Sequence, residues 1–212
     1  MAALRKSRFH DEKGNFVGWG GMAYAPAALV TAAARVAFGV RPARPMLSYR
    51  AVRVIDGLLH TEARGVEFGS GMSTPWLAAR AGFLLSIEND AHWHARVGRM
   101  LAQRRLQNVA HELRADDNFA DLSDQADASF DFALVDGWDR HACVLGVLPK
   151  IKPGGWIYLD HSDKDMTIPD GEMRRAEAAL LEAVQARRGS AEYFTDFSAT
   201  NFFAEQGLLA RF

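Results

Sequence analysis

Cysteine is nearly absent from this chain of 212 residues, because Cys143 is the only one. A single cysteine excludes the framework of internal disulfide bonds that many small extracellular proteins need for stability. It suits a reducing compartment, so the sequence predicts a cytoplasmic protein.

Excess charge of either sign is also lacking. The 25 lysines and arginines nearly balance 26 aspartates and glutamates, for a formal net charge of -1. Without a general positive field there is little to attract nucleic acid or an anionic membrane. We therefore expect a small-molecule partner and no nucleic acid.

No long hydrophobic run is free of interruption. The most apolar stretch, residues 22–40, contains Pro26, Arg35 and Gly39 and is rich in alanine, a weak membrane residue. A packed or partner-binding helix is the better interpretation, which argues against a membrane role. A homodimer contact through the N-terminal helices is a further expectation.

The N-terminal part differs in pattern from the rest of the chain. Residues 1–20 are polar and predicted to form a loose arm, and helices are predicted at residues 25–38 and 48–61. We expect an N-terminal arm and helical cap over residues 1–61 and the main domain over residues 62–212.

Short apolar strands alternate with amphipathic helices from residue 64 onward. Strands are predicted at residues 65–68, 83–88, 109–115, 130–136 and 155–160. This alternation indicates an α/β protein with a parallel sheet covered on both faces. After the last helix, residues 191–197 and 199–206 are β-prone and are expected to pair as a hairpin.

The stretch GVEFGSGMSTPW, residues 65–76, joins a strand to a helix through two glycines. Gly69 and Gly71 permit a sharp turn and let a ligand approach the backbone closely. Ser73 or Thr74 is expected to cap the helix, whose N-terminus attracts anionic groups. Glu88 ends the next strand, 19 residues after Gly69, where an acidic side chain can accept both hydroxyls of a ribose. A nucleotide-like ligand fits this combination, although Thr74 replaces the third glycine of a dinucleotide fingerprint.

These motifs, with FDFALVDG (residues 130–137) and LPKIKPGGWIYLD (residues 148–160), resemble the class I S-adenosylmethionine-dependent methyltransferases, most closely the catechol-type O-methyltransferases. The resemblance covers residues 64–206. It implies a Rossmann-like, seven-stranded and mostly parallel sheet in the order 3-2-1-4-5-7-6, with strand 7 antiparallel and helices on both faces.

The resemblance also implies a set of residues around S-adenosylmethionine. Ser73 would hold the methionine carboxylate, and Asp116 or Asp117 would lie near the adenine amino group. Trp138 would pack on the adenine or, alternatively, wedge between a helix and the sheet. The full set of implied cofactor-binding residues is Glu67, Gly69, Ser70, Gly71, Ser73, Glu88, Asn89, Asp116, Asp136 and Trp138.

The stretch YLDHSDKD, residues 158–165, leaves the fifth strand on the substrate side of the sheet and supplies the catalytic candidates. Asp160 and His161 match the Asp-Asn pair that helps the catechol type to hold a divalent metal, and Asp136 matches the third ligand. Histidine in place of asparagine would favour Mn²⁺, Fe²⁺ or Zn²⁺ over Mg²⁺. Alternatively, His161 is a general base tuned by Asp160 or Asp163, or the loop has neither role.

The resemblance therefore implies methyl transfer by in-line displacement, in particular O-methylation of a small hydroxylated metabolite or sugar. An aminopropyltransferase that uses the same pocket stays open, because residues 115–127, ADDNFADLSDQAD, are acidic enough to meet a polyamine. A non-catalytic partner subunit that binds the cofactor also stays open.

Overall fold

A seven-stranded sheet organises the computed structural model, which describes residues 5–212. In chain order, its strands are Arg64–Phe68 (β1), Phe83–Glu88 (β2), Val109–Leu113 (β3), Phe130–Val135 (β4), Ile151–Leu159 (β5), Ser190–Ser198 (β6) and Asn201–Arg211 (β7). They lie in the order β3-β2-β1-β4-β5-β7-β6. Strands β1 to β5 pair in parallel, and β7 is antiparallel to both β5 and β6. The predicted topology and the C-terminal hairpin are thus confirmed.

The helices within the described residues lie on both faces of this sheet. They are Gly18–Met22 (α1), Ala25–Phe38 (α2), Tyr49–Leu58 (α3), Ser73–Ala78 (α4), Ala91–Gln103 (α5), Arg140–Val147 (α6) and Glu172–Ala186 (α7). The helix predicted at residues 48–61 ends early, at Leu58. Leu59 is already extended, and the carbonyl of Ala63 accepts hydrogen bonds from Gly82 and Phe83, so this segment leads into the sheet.

Apolar side chains fill the space between the sheet and its helices. Val66 and Phe68 point to the face covered by α6 and α7, whereas Phe132 and Leu134 point to the face covered by α3 and α4. Alternation along each strand produces the two cores, because successive side chains of a strand point to opposite faces. Helix α3 belongs to the second core. The division of the chain into residues 1–61 and 62–212 stays a prediction.

The predicted loose arm is wrong for the described part of residues 1–20. Asp11 is fully buried and accepts hydrogen bonds from Thr195 Oγ1 at 2.7 Å and Gln206 Nε2 at 3.1 Å. The guanidinium of Arg5 donates to the carbonyl of Ala204 at 2.7 Å. The polar composition of this segment predicted exposure to solvent. Its polar groups instead form hydrogen bonds with residues of the C-terminal hairpin. Residues 1–4 lie outside the described part.

None of the helices within residues 5–212 combines the length and the apolar character needed to cross a bilayer.

Candidate active site

A cavity of about 490 Å³ opens at the carboxyl ends of β1, β2 and β4. The strand order reverses at this edge, because β2 lies on one side of β1 and β4 lies on the other. Ligands of open α/β sheets usually bind in the crevice at such a point. The predicted residues that line it are Gly69, Ser70, Gly71, Ser73, Glu88, Asn89, Asp136, Trp138 and His161. Three other predicted residues do not line it: Glu67 and Asp160 are buried behind its wall, and Asp116 is exposed at the surface.

The turn after β1 requires glycine at Gly69. Its φ is +91°, and a Cβ atom there would lie 2.6 Å from the carbonyl oxygen of Asp136. The turn therefore passes directly against the end of β4. The expected cap of α4 is wrong: Met72 precedes the helix, and no side chain caps it. The Thr74 hydroxyl instead accepts from Gly71 N at 2.8 Å.

Glu67 supports this turn from behind instead of bordering the cavity. It is fully buried, and its Oε2 accepts hydrogen bonds from Thr74 Oγ1 at 2.6 Å and Ser86 Oγ at 2.7 Å. Burial raises the pKa of Glu67 to about 7, against the opposing effect of these hydroxyl donors. The carboxyl group thus connects β1, β2 and the start of α4.

Glu88 lines the cavity at the end of β2 and is almost fully buried. Its Oε1 accepts hydrogen bonds from the backbone N–H groups of Asn89 at 3.0 Å and Asp90 at 2.9 Å. These bonds orient the carboxylate. Asn89 also lines the cavity, and its Nδ2 donates to Asp116 Oδ1 at 2.7 Å. Asp116 itself does not line the cavity and contacts it only by this hydrogen bond to Asn89.

Two tryptophans flank the cavity. Trp138 is 54% exposed and lines it, so the ring is not wedged between a helix and the sheet. Trp93, in the first turn of α5, also lines it, and its Nε1 donates to the carbonyl of Ser70. Sequence reasoning missed Trp93, although its position shortly after Glu88 was the available signal.

Asp136, Asp160 and His161 come together where β4 and β5 end. His161 Nδ1 lies 2.9 Å from Asp160 Oδ2 and 3.5 Å from Asp136 Oδ1. One ligand atom from each of the three residues falls within 4.8 Å of the others. On its other side, His161 Nε2 lies 3.4 Å from Glu205 Oε1. Arg140 Nη2 donates to Asp136 Oδ1 at 2.8 Å.

The charges in this cluster shift one another. The negative charge of Asp160, aided by Asp136 and Glu205, raises the pKa of His161 well above its ordinary value, against the effect of burial. Burial raises the pKa of Asp160. For Asp136, burial acts in the same direction, but His161 and Arg140 outweigh it and lower the pKa. The carboxylates around His161 therefore favour its protonated form.

Asp163 does not tune His161. It is fully buried, and its carboxylate accepts from Glu12 N of the N-terminal segment at 2.9 Å and from Gln206 N of β7 at 3.3 Å. The further carboxylate near His161 is that of Glu205 on β7, and not the predicted Asp163.

Several further lining residues were not predicted. They are Arg35, Arg41, Met46, Leu47, Met72, Trp93, Gly137, Ser198, Asn201 and Glu205. Most of them come from the N-terminal segment and the C-terminal hairpin, which carry no motif. Only the packing of these segments against the sheet brings them to the cavity.

Comparison with known families connects this geometry to a reaction class. Residues 66–162 match a family described as a methyltransferase domain. This part of the chain is therefore similar to methyltransferase domains. The methyltransferase match runs from β1 to the residue after His161, and so includes the glycine turn, Glu88 and Asp136.

Solved methyltransferase structures have the same fold. An O-methyltransferase from Bacillus cereus, solved with S-adenosylhomocysteine, is 18% identical, with a TM-score of 0.61 over 89% of this chain and 90% of that one. An rRNA methylase from Streptococcus thermophilus is 14% identical, with a TM-score of 0.58 over 77% and 94%. A methyltransferase from Aquifex aeolicus is 12% identical, with a TM-score of 0.54 over 80% and 93%. No curated protein sequence matches the chain.

Proposed function

We propose that this methyltransferase transfers the methyl group of S-adenosylmethionine to a hydroxyl of a small acceptor. The observation that carries the proposal is the cluster of Asp136, Asp160 and His161 beside the same cavity as the glycine turn and Glu88. The proposed donor site and a group of acid–base side chains thus lie beside one cavity. O-Methylation needs both, because the acceptor oxygen must lose a proton while it attacks the methyl carbon.

The donor fits along the wall formed by the ends of β1 and β2. In this arrangement the turn from Gly69 to Gly71 borders its methionine part, and Ser73 binds the carboxylate. Glu88 accepts hydrogen bonds from the ribose, since its two backbone bonds both use Oε1. The exposed ring of Trp138 offers a face to the adenine.

The cluster also fits a divalent cation. His161 Nδ1 is buried and makes no well-aligned hydrogen bond within residues 5–212, although two carboxylates lie close to it. Glu205 near Nε2 resembles the outer carboxylate that often orients a metal-binding histidine. We therefore assign Asp136, Asp160 and His161 as cation ligands, a set that suits Mn²⁺, Fe²⁺ or Zn²⁺ better than Mg²⁺. A bound cation would lower the pKa of the acceptor hydroxyl, so that its proton would leave to solvent water as the oxygen attacks.

A general-base role for His161 has less support. A base must be neutral to accept a proton, but the surrounding carboxylates raise the pKa of His161; a bound cation would displace the proton of His161 and itself offset the carboxylates. Arg140 keeps Asp136 oriented toward this centre through its 2.8 Å bond. The residues of the chain then contribute by aligning the acceptor oxygen with the methyl carbon and the sulfur. The oxygen–carbon bond forms as the carbon–sulfur bond breaks, and the cavity walls limit access of water.

The rival functions have weaker support. None of the acidic residues of the stretch at residues 115–127 lines the cavity. They are therefore not placed to bind a polyamine there, as an aminopropyltransferase would require. An intact donor wall and a polar reaction centre also disfavour a non-catalytic subunit. The similar fold of an rRNA methylase keeps RNA as an acceptor to be tested.

A labelled transfer assay tests the proposal. The purified protein is incubated with S-adenosylmethionine labelled in its methyl group, Mn²⁺ and either a panel of catechols and sugars or total RNA. We expect label on the oxygen of a small acceptor and its loss on addition of a chelator. Label found only in RNA would contradict the proposed acceptor class, and transfer unaffected by the chelator would contradict the cation.

A further inference from the structure

Two arginines line the cavity without a counterion. Arg35 lies near the end of α2, and Arg41 lies in the segment that follows it. Neither belongs to any of the ion pairs formed within residues 5–212. The guanidinium of Arg41 instead meets the sulfur of Met46 at 3.2 Å and the ring of Trp93, whose centroid is 5.6 Å from Cζ.

The guanidinium of Arg41 lies within range of two other positive charges. Partial burial and then the charges of Arg35 and Arg96 lower the pKa of Arg41. Like charges that face one cavity and pair with none of its carboxylates repel each other, and an anion bound between them would relieve that repulsion. The arrangement is therefore more favourable with an anionic group present.

The acidic side chains that line the cavity are already engaged elsewhere. Asp136 pairs with Arg140 at 2.8 Å, Glu205 lies 3.4 Å from His161, and Glu88 accepts two backbone N–H groups. None of them offsets the charge of Arg35 or Arg41. An anionic ligand in the cavity would supply the missing negative charge.

Arg35 lies on the side of the cavity formed by the C-terminal hairpin. Its Nη1 is 3.5 Å from the carbonyl of Thr200, at the turn of the hairpin. Ser198 and Asn201, on either side of that turn, also line the cavity. Further along β7, Glu205 contacts His161, so the hairpin links Arg35 to the proposed reaction centre.

We propose that the methyl acceptor carries a carboxylate or phosphate group, which Arg35 and Arg41 bind at the mouth of the cavity. This inference rests on the proposed function. Guanidinium groups match the geometry of both anions and bind them through paired N–H donors. The two arginines would select anionic acceptors and direct the opposite, hydroxyl-bearing end toward His161.

Calorimetry on the donor-loaded protein tests this selection. The enzyme is saturated with S-adenosylhomocysteine and titrated with 3,4-dihydroxybenzoate, with the neutral methyl ester of that compound, and with inorganic phosphate. We expect the carboxylate or phosphate to bind roughly ten- to a hundred-fold more tightly than the ester. Arg35→Gln and Arg41→Gln should each lose that preference. Which anion binds distinguishes the two chemical sources.

Arg44→Gln is the matched control, because Arg44 lies in the same segment as Arg41 but lines a different surface depression. The inference is overturned if the loaded enzyme binds neither anion, if it binds the ester equally well, or if Arg44→Gln has the same effect. It is also overturned if Arg41→Gln weakens only S-adenosylhomocysteine, because Arg41 would then bind the donor. Failure of the wild-type protein to bind S-adenosylhomocysteine would instead contradict the proposed function.

Discussion

The carboxyl group of Glu67 makes the stability of the fold depend on pH. Its pKa is about 7 in the folded protein, against an ordinary value of 4.5. Between these values the unfolded chain has lost the proton that the native state still holds, so stability falls as pH rises from about 4.5 to 7 and levels off above. The full difference is on the order of 3 kcal/mol.

Glu67→Gln should remove this pH dependence. Glutamine stays neutral, so its effect on the free energy of unfolding does not change with pH. The stability of the variant relative to the wild type should therefore increase as pH rises. Denaturant unfolding at pH 5, 6, 7 and 8 measures it. The exposed Glu112→Gln is the control and should follow the wild type. Parallel curves for Glu67→Gln and wild type would show that Glu67 ionises normally.

Glu88→Ala should weaken binding of S-adenosylmethionine by about 1.5–3 kcal/mol, or roughly ten- to a hundred-fold. The side chain ends β2 and lines the cavity, so the variant loses a charge-assisted contact to the ribose while the fold survives. Titration calorimetry measures the change, with Glu112→Ala at the end of β3 as the control. Unchanged affinity in a folded Glu88→Ala protein would remove Glu88 from the donor site.

His161→Asn separates the cation from the general base. Asparagine is an acceptable oxygen ligand for Mg²⁺, so the cation proposal predicts that the variant keeps activity with added Mg²⁺ and loses it with a chelator. A general base would instead cost on the order of 10²–10⁴ in kcat under either condition. His92→Asn, on the outer surface of α5, is the control. Wild-type rates of His161→Asn in chelator would contradict both roles.

At the scale of elements, the turn between β1 and α4 depends on how closely it approaches β4. Gly69→Ala adds a Cβ atom 2.6 Å from the Asp136 carbonyl oxygen, at a φ of +91°. Gly154→Ala is a matched control, because its φ is +83° but nothing lies within 4 Å of the added atom. Both variants incur backbone strain of about 1–3 kcal/mol, whereas only the first must separate β1 from β4.

We therefore expect Gly69→Ala to lower the melting temperature further than Gly154→Ala and to weaken S-adenosylmethionine binding at least tenfold. Gly154→Ala should bind the donor normally. Thermal unfolding and calorimetry on both proteins measure these effects. Equal behaviour of the two variants would mean that backbone strain alone, and not the contact with β4, makes glycine necessary at Gly69.

The elements themselves were largely predictable. Apolar runs bounded by glycine and acidic residues marked β1, β2 and β4, and two β-prone runs marked the hairpin. The early end of α3 was not predictable, because it depends on hydrogen bonds from Gly82 and Phe83 to Ala63, which are distant in sequence. The order of the strands came from the family resemblance, since periodicity alone does not order a sheet.

At the scale of the whole molecule, the wall proposed to bind the donor could be predicted, and the wall proposed to face the acceptor could not. Gly69, Gly71 and Glu88 carry a local motif. Arg35 and Glu205 reach the same cavity only after α2 and β7 have packed, and no local pattern marks either residue. The N-terminal segment shows the same limit, because the burial of Asp11 depends on partners almost 200 residues away.

The central claim is that the cavity binds S-adenosylmethionine as a methyl donor. Titration calorimetry of the wild-type protein with S-adenosylmethionine, its decarboxylated form and NAD tests this most directly. We predict that S-adenosylmethionine binds, that the decarboxylated form binds more weakly because Ser73 loses the carboxylate, and that NAD does not bind. Preference for the decarboxylated form would favour an aminopropyltransferase, and binding of NAD alone would contradict the account.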